Sequence, residues 1–369
     1  MLDEIFEDVH AKRIESLANY AVGAMTASRV AIHAIGAAYA AVAEIQPKHG
    51  VKQVDRYLSN QGIDVEQLSP GWAKFVLGPR TDVLLAMDWT DFEFDDHTTL
   101  CVYVVTSHGR ATPLAWKTVK KSSLGDGART RHEHEMVERL SRAIDPDVAI
   151  TVLADRGFGD QKLYELLALL GWDYIIRFRG CIVVEHNGEA KPAQQWLSPS
   201  GRARKLVGAR VTRDRTEVGA VVLVHHKKMA EPWYLATSLS RSTAASIVKA
   251  YGRRFTIEET FRDQKDLRFG MGLSATHIRS AARRDRLLML LAIAQALLTL
   301  LGAASERSGM DAYLRANTVK RRTHSLFRQG SYWYGCIPTM RDDWFRRLMA
   351  AFAEVLAEHR QIDQILGVI

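Results

Sequence analysis

TDVLLAMDWTDFEF (residues 81–94), TLCVYVVTSHGR (99–110) and ATPLAWKTV (111–119) are three runs rich in apolar and β-branched residues. Short turns separate them, the middle one being His108-Gly109-Arg110. Runs with that punctuation predict an antiparallel meander. A helical pattern follows at about 130–143, then a strand in VAITVLAD (148–155), a helix in DQKLYELLALLG (160–171) and a strand in WDYIIRF (172–178). The order β-β-β-α-β-α-β predicts an α/β fold, with helices packed on a mixed sheet.

That order is the ribonuclease H-like layout. Residues 81–180 are expected to form the first part of such a core and residues 241–305 the second. Between them, 181–240 reads as a β-rich insertion: CIVVEH, RKLVGARVT, VGAVVLVHH and PWYLATSL are strand-like, and Gly188, Pro192, Pro199 and Gly201 separate the runs. Residues 1–80 form a helical N-terminal region. Its pattern is helical over 3–60 with a break at Pro47, after which a short helix carries Lys48, Lys52 and Arg56 on its polar face. Residues 61–80, with Pro70 and Pro79, read as a connection. Residues 306–369 form a helical C-terminal region, whose last helix (344–369) is amphipathic and suits either an interface or core packing. LLMLLAIAQALLTLLGAA (287–304) is long enough to span a membrane. It is a single segment preceded by Arg283, Arg284 and Arg286, so a buried central helix is expected.

The chain has 369 residues, 47% of them hydrophobic and 25% charged, which supports packed cores and argues against disorder. Its net charge is +8 and its pI about 9.4. Residues 1–80 carry −1 and 81–180 carry −4, whereas 181–240 carry +4 and 241–369 carry +9. An acidic centre beside a basic half suits a cation-collecting site next to a surface for a polyanion. Cys101, Cys181 and Cys336 show no zinc spacing and read as buried free thiols in a reducing compartment. MLDEIFEDVHAKR is acidic and does not resemble a signal peptide, so a cytoplasmic location is expected.

Two aspartates follow apolar runs: Asp88 after DVLLAM and Asp155 after VAITVLA. Aspartates at neighbouring strand ends would hold a hard cation together. Further along, YGRRFTIEETFRDQK (251–265) reads as a helix. Tyr251, Arg254, Glu258 and Lys265 lie at offsets 0, 3, 7 and 14, which at about 100° per residue fall within roughly 60° of one another. Glu258 would complete a three-carboxylate site, with Arg254 and Lys265 as phosphate partners. Asp91, Asp95, Asp96 and Asp160 compete, but Asp88 and Asp155 directly terminate their runs, and Asp160 suits a helix start. Glu259 points about 100° away from the face of Glu258. Three converging carboxylates flanked by phosphate-binding groups describe a metal-dependent phosphodiester enzyme.

Tyr251, Arg254, Glu258 and Lys265, as Y-x2-R-x3-E-x6-K, match the YREK signature, and on these residues the chain resembles bacterial insertion-sequence DDE transposases of the insertion sequence four superfamily. AMDWTDF resembles the segment with that family's first aspartate and LADRGFGD the segment with its second. About 100 residues separate Asp155 from Glu258, in keeping with the family's β insertion, and RTHSLFRQG also looks family-like. The resemblance covers roughly residues 1–335.

It implies Mg²⁺-dependent cut-and-paste transposition, with Mn²⁺ as a substitute and two ions held by Asp88, Asp155 and Glu258. The implied steps are nicking at the element end, hairpin formation and opening, and strand transfer into target DNA. Tyr251, Arg254 and Lys265 would hold phosphates beside a flipped base. Trp233 would stack on that base, the competing reading being that Trp233 or Tyr234 is a strand core residue. Arg210, Lys320, Arg321 and Arg322 would track double-stranded DNA, and the N-terminal helices would take part in reading the terminal inverted repeats. A homodimer on DNA is expected, with no membrane partner. The rival readings are a ribonuclease H-like nuclease without strand transfer, a catalytically inactive DNA-binding derivative, and a membrane-associated protein built on residues 287–304.

Overall fold

The computed structural model describes residues 2–6, 9–268 and 270–361. The N-terminal region contains α1 (Leu2–Ile5), α2 (Ala11–Ala27), α3 (Ile32–Val42), α4 (Pro47–Ser59) and α5 (Val65–Leu77). Pro47 sits in the first turn of α4, where its missing N–H has no intrahelical partner to lose. The segment expected to be a connection is therefore largely the helix α5, with Pro70 inside it. An interior proline costs a helix ~3 kcal/mol. Here Leu68, Val76 and Leu77 are all buried, and each contributes roughly 1.5–3 kcal/mol. Trp72 is buried beside them and donates its indole N–H to Pro113 O at 3.0 Å.

The meander is present as β1 (Asp82–Phe92), β2 (His97–Val105) and β3 (Ala111–Lys120), with Gly109 at φ +88° in the turn between β2 and β3. Next come α6 (Ala128–Ala143), β4 (Ala149–Ala154), α7 (Gln161–Leu169) and β5 (Asp173–Arg177). β4 pairs parallel with β1, and β5 parallel with β4. Asp160 caps α7, as its place before the helix suggested, accepting from Lys162 N at 3.4 Å.

The following segment holds β6 (Val183–His186), β7 (Glu189–Pro192), β8 (Arg204–Val207), β9 (Arg210–Val211), β10 (Thr216–Glu217), β11 (Ala220–Val224) and β12 (Trp233–Thr237). It is more closely joined to the core than an insertion read from turns alone would be. β12, β11 and β8 extend the main sheet, whose order is β3-β2-β1-β4-β5-β12-β11-β8. The short strands β10, β9, β6 and β7 form a separate small sheet. β11 is buried throughout, as a strand covered on both faces should be.

The chain returns to helix in α8 (Ala244–Gly252) and α9 (Thr256–Lys265), then α10 (Ala281–Arg307), α11 (Leu326–Cys336) and α12 (Asp342–Gln361). α10 is long and apolar enough to cross a membrane, yet its most apolar window is 89% buried inside the fold. It is the expected central helix. Beyond its middle, a second apolar cluster joins Leu300, Leu301, Leu326, Trp333, Leu348 and Val355, so α12 packs on the core over its described length. The last residues of that amphipathic stretch, 362–369, lie outside the described residues. The expectation of three buried thiols is corrected: Cys101 is buried, Cys336 is half-buried and Cys181 is exposed.

Candidate active site

Asp88 does not end its strand, as its position after an apolar run suggested: β1 continues to Phe92. What ends there is the neighbour. The β1–β4 ladder stops at the pair Met87–Ala154. Asp88 and Asp155 each follow that pair by one residue, so parallel register sets the two carboxylates side by side where β1 loses β4 as a partner. This is the kind of gap at a sheet's carboxyl edge where ligands gather. Asp155 turns its Oδ1 to accept from Gly157 N at 2.8 Å. Asp88 accepts from Trp89 N at 2.9 Å through Oδ1.

The helix expected over 251–265 is broken. α8 ends at Gly252, Arg253–Phe255 form a 3₁₀ turn, and α9 starts at Thr256. The tighter turn changes the projection of everything before it. Tyr251 thus faces the core and is 1% exposed instead of sharing an open face with Glu258. Its ring meets Trp233 edge-on at 5.0 Å, and Trp233 also lies 5.8 Å from Phe255. Burial pushes the Tyr251 phenol up to about 12. Trp233, at the start of β12, is half-buried in this aromatic cluster.

Arg254 occupies the centre. One arm donates to Asp88 Oδ2 at 2.9 Å, the other to Glu258 Oε1 at 2.8 Å. Its side chain is 7% exposed, against 18% for Asp88 and 50% for Glu258. Burial raises the Asp88 carboxyl to about 6; Arg254 opposes that shift and the neighbouring Asp155 adds to it. Lys265, at the far end of α9, is tied to β1. Its Nζ donates to Thr90 Oγ1 at 2.9 Å and to Asp91 O at 2.6 Å, and lies 4.5 Å from the Phe92 ring centre. Burial lowers its pKa.

The competing acids are engaged elsewhere. Asp91 pairs with Lys121 at 2.8 Å, Asp95 pairs with Arg284 and accepts from Ile278 N, and Asp96 accepts from Ser122 N at 3.0 Å. The basic candidates are away from Asp88. Arg210 is exposed on β9, 4.0 Å from Glu217. Lys320 and Arg321 are exposed on the segment before α11, whereas Arg322 is bound by Glu306 at 2.5 Å.

One acidic residue near the site was not anticipated. Glu133, on α6, is buried and accepts from the Trp89 indole N–H at 2.7 Å. Burial raises its carboxyl to about 7, and Asp160 and Asp155 add to the shift. Its signal was available in sequence: Glu133 falls on the apolar stripe with Met136, Val137 and Leu140, where a carboxylate is out of place. Arg129, one turn earlier, lies over the Trp89 ring at 5.1 Å.

Residues 79–297 match the family model of the transposase DDE domain. The chain belongs to the transposase DDE domain family. The match runs from the start of β1 into α10 and contains Asp88, Asp155 and Glu258. No curated protein matches the chain. The large mixed sheet with flanking helices agrees with the ribonuclease H-like core of such a transposase domain. DDE transposase domains act on DNA and generally use divalent metal ions.

The residues present fit such an ion in chemistry. Asp88 and Asp155 offer hard oxygen donors side by side, and burial, with Asp155 close by, raises the Asp88 carboxyl against the pull of Arg254. As placed, however, three ligands are not gathered: among the described residues, no group of three His, Cys, Asp or Glu side chains is close enough to hold a metal. The Arg254 guanidinium stands between Asp88 and Glu258 and balances both.

Proposed function

We propose that Asp88, Asp155 and Glu258 form the divalent-metal site of a cut-and-paste transposase that nicks DNA at its element ends, forms and opens a hairpin, and joins the freed end to target DNA. The observation that carries this reading is the pairing of Asp88 with Asp155 by strand register, with Glu258 brought to the same place through Arg254. Bound Mg²⁺, or Mn²⁺ in its place, supplies an activated oxygen nucleophile and stabilises the leaving oxygen.

The chain's own groups do the rest. Asp88 and Asp155 present negative charge from a rigid sheet. Arg254 keeps Asp88 and Glu258 compatible before substrate arrives. A scissile phosphate then offers Arg254 a second anion, and the guanidinium fork suits it. Transfer of Arg254 from Glu258 to that phosphate would free Glu258 to complete the ligand set. Trp233 sits at the edge of the Tyr251–Phe255 cluster, where a ring can stack on an unpaired base. Tyr251 acts by packing Trp233, since it is buried. Lys265 braces α9 against β1, and its partial burial leaves its ammonium near Asp91 to meet a phosphate. Arg210, Lys320, Arg321 and Arg322 would contact duplex backbone, and two copies of the chain would pair two element ends.

The test uses DNA carrying the element's ends, Mg²⁺, and wild type beside Glu258→Gln, with products resolved on a denaturing gel. Nicks and hairpins from wild type alone are expected. Nicks without hairpins or joined products would replace this reading with a nuclease. Binding without cleavage by either protein would replace it with an inactive DNA-binding derivative.

A further inference from the structure

α9 has a second functional flank. At about 100° per residue, Glu259 and Asp266 lie roughly 80–100° round the helix from Glu258. They face away from Asp88 and, with Arg262, line a cleft of about 820 Å³ closed by Arg110, Arg328 and Tyr332. A second cleft of about 580 Å³ is lined by Arg29, Arg268, Arg328 and Tyr332. The two share Arg328 and Tyr332 and so adjoin.

The charge there is organised from beneath. Asp263 is 1% exposed and accepts from two arginines, Arg110 through Nε and Arg328 through an arm at 2.6 Å. One carboxylate holds two guanidinium groups, so the trio keeps a net positive charge and both forks are fixed in place. Arg328 commits one arm to Asp263 and remains 35% exposed towards the clefts. Arg29 and Arg268 are exposed and have no carboxylate partner among the described residues. Five arginines thus meet three carboxylates: Glu259, Asp263 and Asp266. Tyr332, 54% exposed, adds a ring between the clefts. Oriented arginines beside an exposed aromatic ring suit a sugar-phosphate backbone.

We propose that this double cleft binds the phosphate backbone of a second stretch of DNA, beyond the stretch held at Asp88. It rests on the transposase reading, in which one DNA is joined to another. None of its residues belongs to the carboxylate site. A reaction that joins one DNA to another needs places for two segments, and α9 borders both.

The test is DNA binding by fluorescence anisotropy over a series of salt concentrations, with a random-sequence duplex and a single strand of equal length. Arg29→Glu combined with Arg268→Glu reverses two exposed, unpaired charges and should leave folding intact, as a melting curve would verify. Arg328→Gln is the second variant. Lys227→Glu with Lys228→Glu, on the exposed turn after β11, is the charge-matched control. The slope of log K against log salt should become shallower by about 0.9 per lost contact on duplex, or about 0.7 on single strand. The Arg29/Arg268 pair should weaken binding at low salt at least about ten-fold, since two phosphate contacts are lost. A loss on either probe supports the cleft, and the size of the slope change tells which strand form it takes. Wild-type binding with unchanged variants, or an equal loss in the control, would overturn the cleft while leaving the transposase reading intact. No DNA binding by wild type would overturn both.

Discussion

Arg254 reaches across from the turn before α9 to Asp88 on β1, and the two are joined at 2.9 Å in a largely buried contact. The guanidinium supplies the charge that a divalent cation would supply to the same carboxylate. Arg254→Ala would leave Asp88 buried beside Asp155 with no counter-charge. Breaking a buried pair by removing one partner costs about 3–5 kcal/mol. Asp88 is not wholly buried, so the lower end of that range is expected here. The half-exposed Glu258 end adds little. At the proposed metal site the guanidinium and a cation would compete for Asp88, so added Mg²⁺ should stabilise Arg254→Ala more than wild type. Thermal unfolding with and without Mg²⁺ measures this. Equal shifts in the two proteins would show that Arg254 does not occupy the cation's place.

Glu133 gives a second, independent prediction. Its carboxylate holds the Trp89 indole, which follows Asp88 in β1. Glu133→Gln keeps an amide oxygen as acceptor and should change stability by under about 1 kcal/mol. Glu133→Ala strands the indole N–H and opens a gap, and should cost about 1–3 kcal/mol. Urea unfolding of the two variants separates them, and equal costs would mean that the carboxylate itself, which both variants remove, matters and not the acceptor oxygen or the packing.

These two contacts mark where sequence reasoning reaches and where it stops. The meander, the β4-α7-β5 unit and the buried α10 follow from period, turn residues and run length, which are local properties. Asp88 and Asp155 were found because each follows an apolar run, although only register shows why they meet: β4 ends one residue before both. The 3₁₀ turn at Arg253–Phe255 was not legible, since Arg253, Arg254 and Phe255 all suit an α-helix. That turn is why Tyr251 is core and Arg254 is central. Pro70 misled because a local penalty was outweighed by burial of α5, a tertiary effect. The Arg254–Asp88 contact joins residues 166 apart and has no local signature.

Stability should also respond to pH through Asp285, which is none of the three proposed metal ligands. It lies on α10, its carboxylate accepts from Thr118 N at 3.0 Å, and burial raises that carboxyl to about 7. Arg139 opposes the shift and Glu66 adds to it. Between the ordinary value of 3.8 and about 7, the native protein holds a proton that the unfolded chain releases. Stability therefore falls as pH rises through that window, with no cost below it and the full cost above it. Asp285→Asn keeps an oxygen for Thr118 N and removes the titration. The variant should gain on wild type steadily from pH 4 to pH 7 and hold that gain above. Denaturation midpoints across that range test it, and a difference independent of pH would assign the effect to packing.

Two glycines let the C-terminal helices close on the core. A Cβ on Gly330 of α11 would lie 1.7 Å from Leu298 O on α10, and one on Gly302 of α10 would lie 1.9 Å from Leu326 O. Both obstacles are backbone, so no rotamer relieves them, and the helices must part. Overpacking a core ordinarily costs about 1–3 kcal/mol. Parting these helices also loosens the cluster of Leu301, Leu326, Trp333 and Leu348, so Gly330→Ala and Gly302→Ala should each reach or exceed the top of that range. Gly335, on the same α11, is exposed, and a Cβ placed on it would meet nothing within 4 Å. There the same substitution only reduces the freedom of the unfolded chain and should stabilise by roughly 0.5–1 kcal/mol. The sign therefore reverses within one helix, five residues apart. Urea midpoints of the three variants read it directly, and a destabilised Gly335→Ala would mean that helix strain, and not the α10–α11 approach, governs this region.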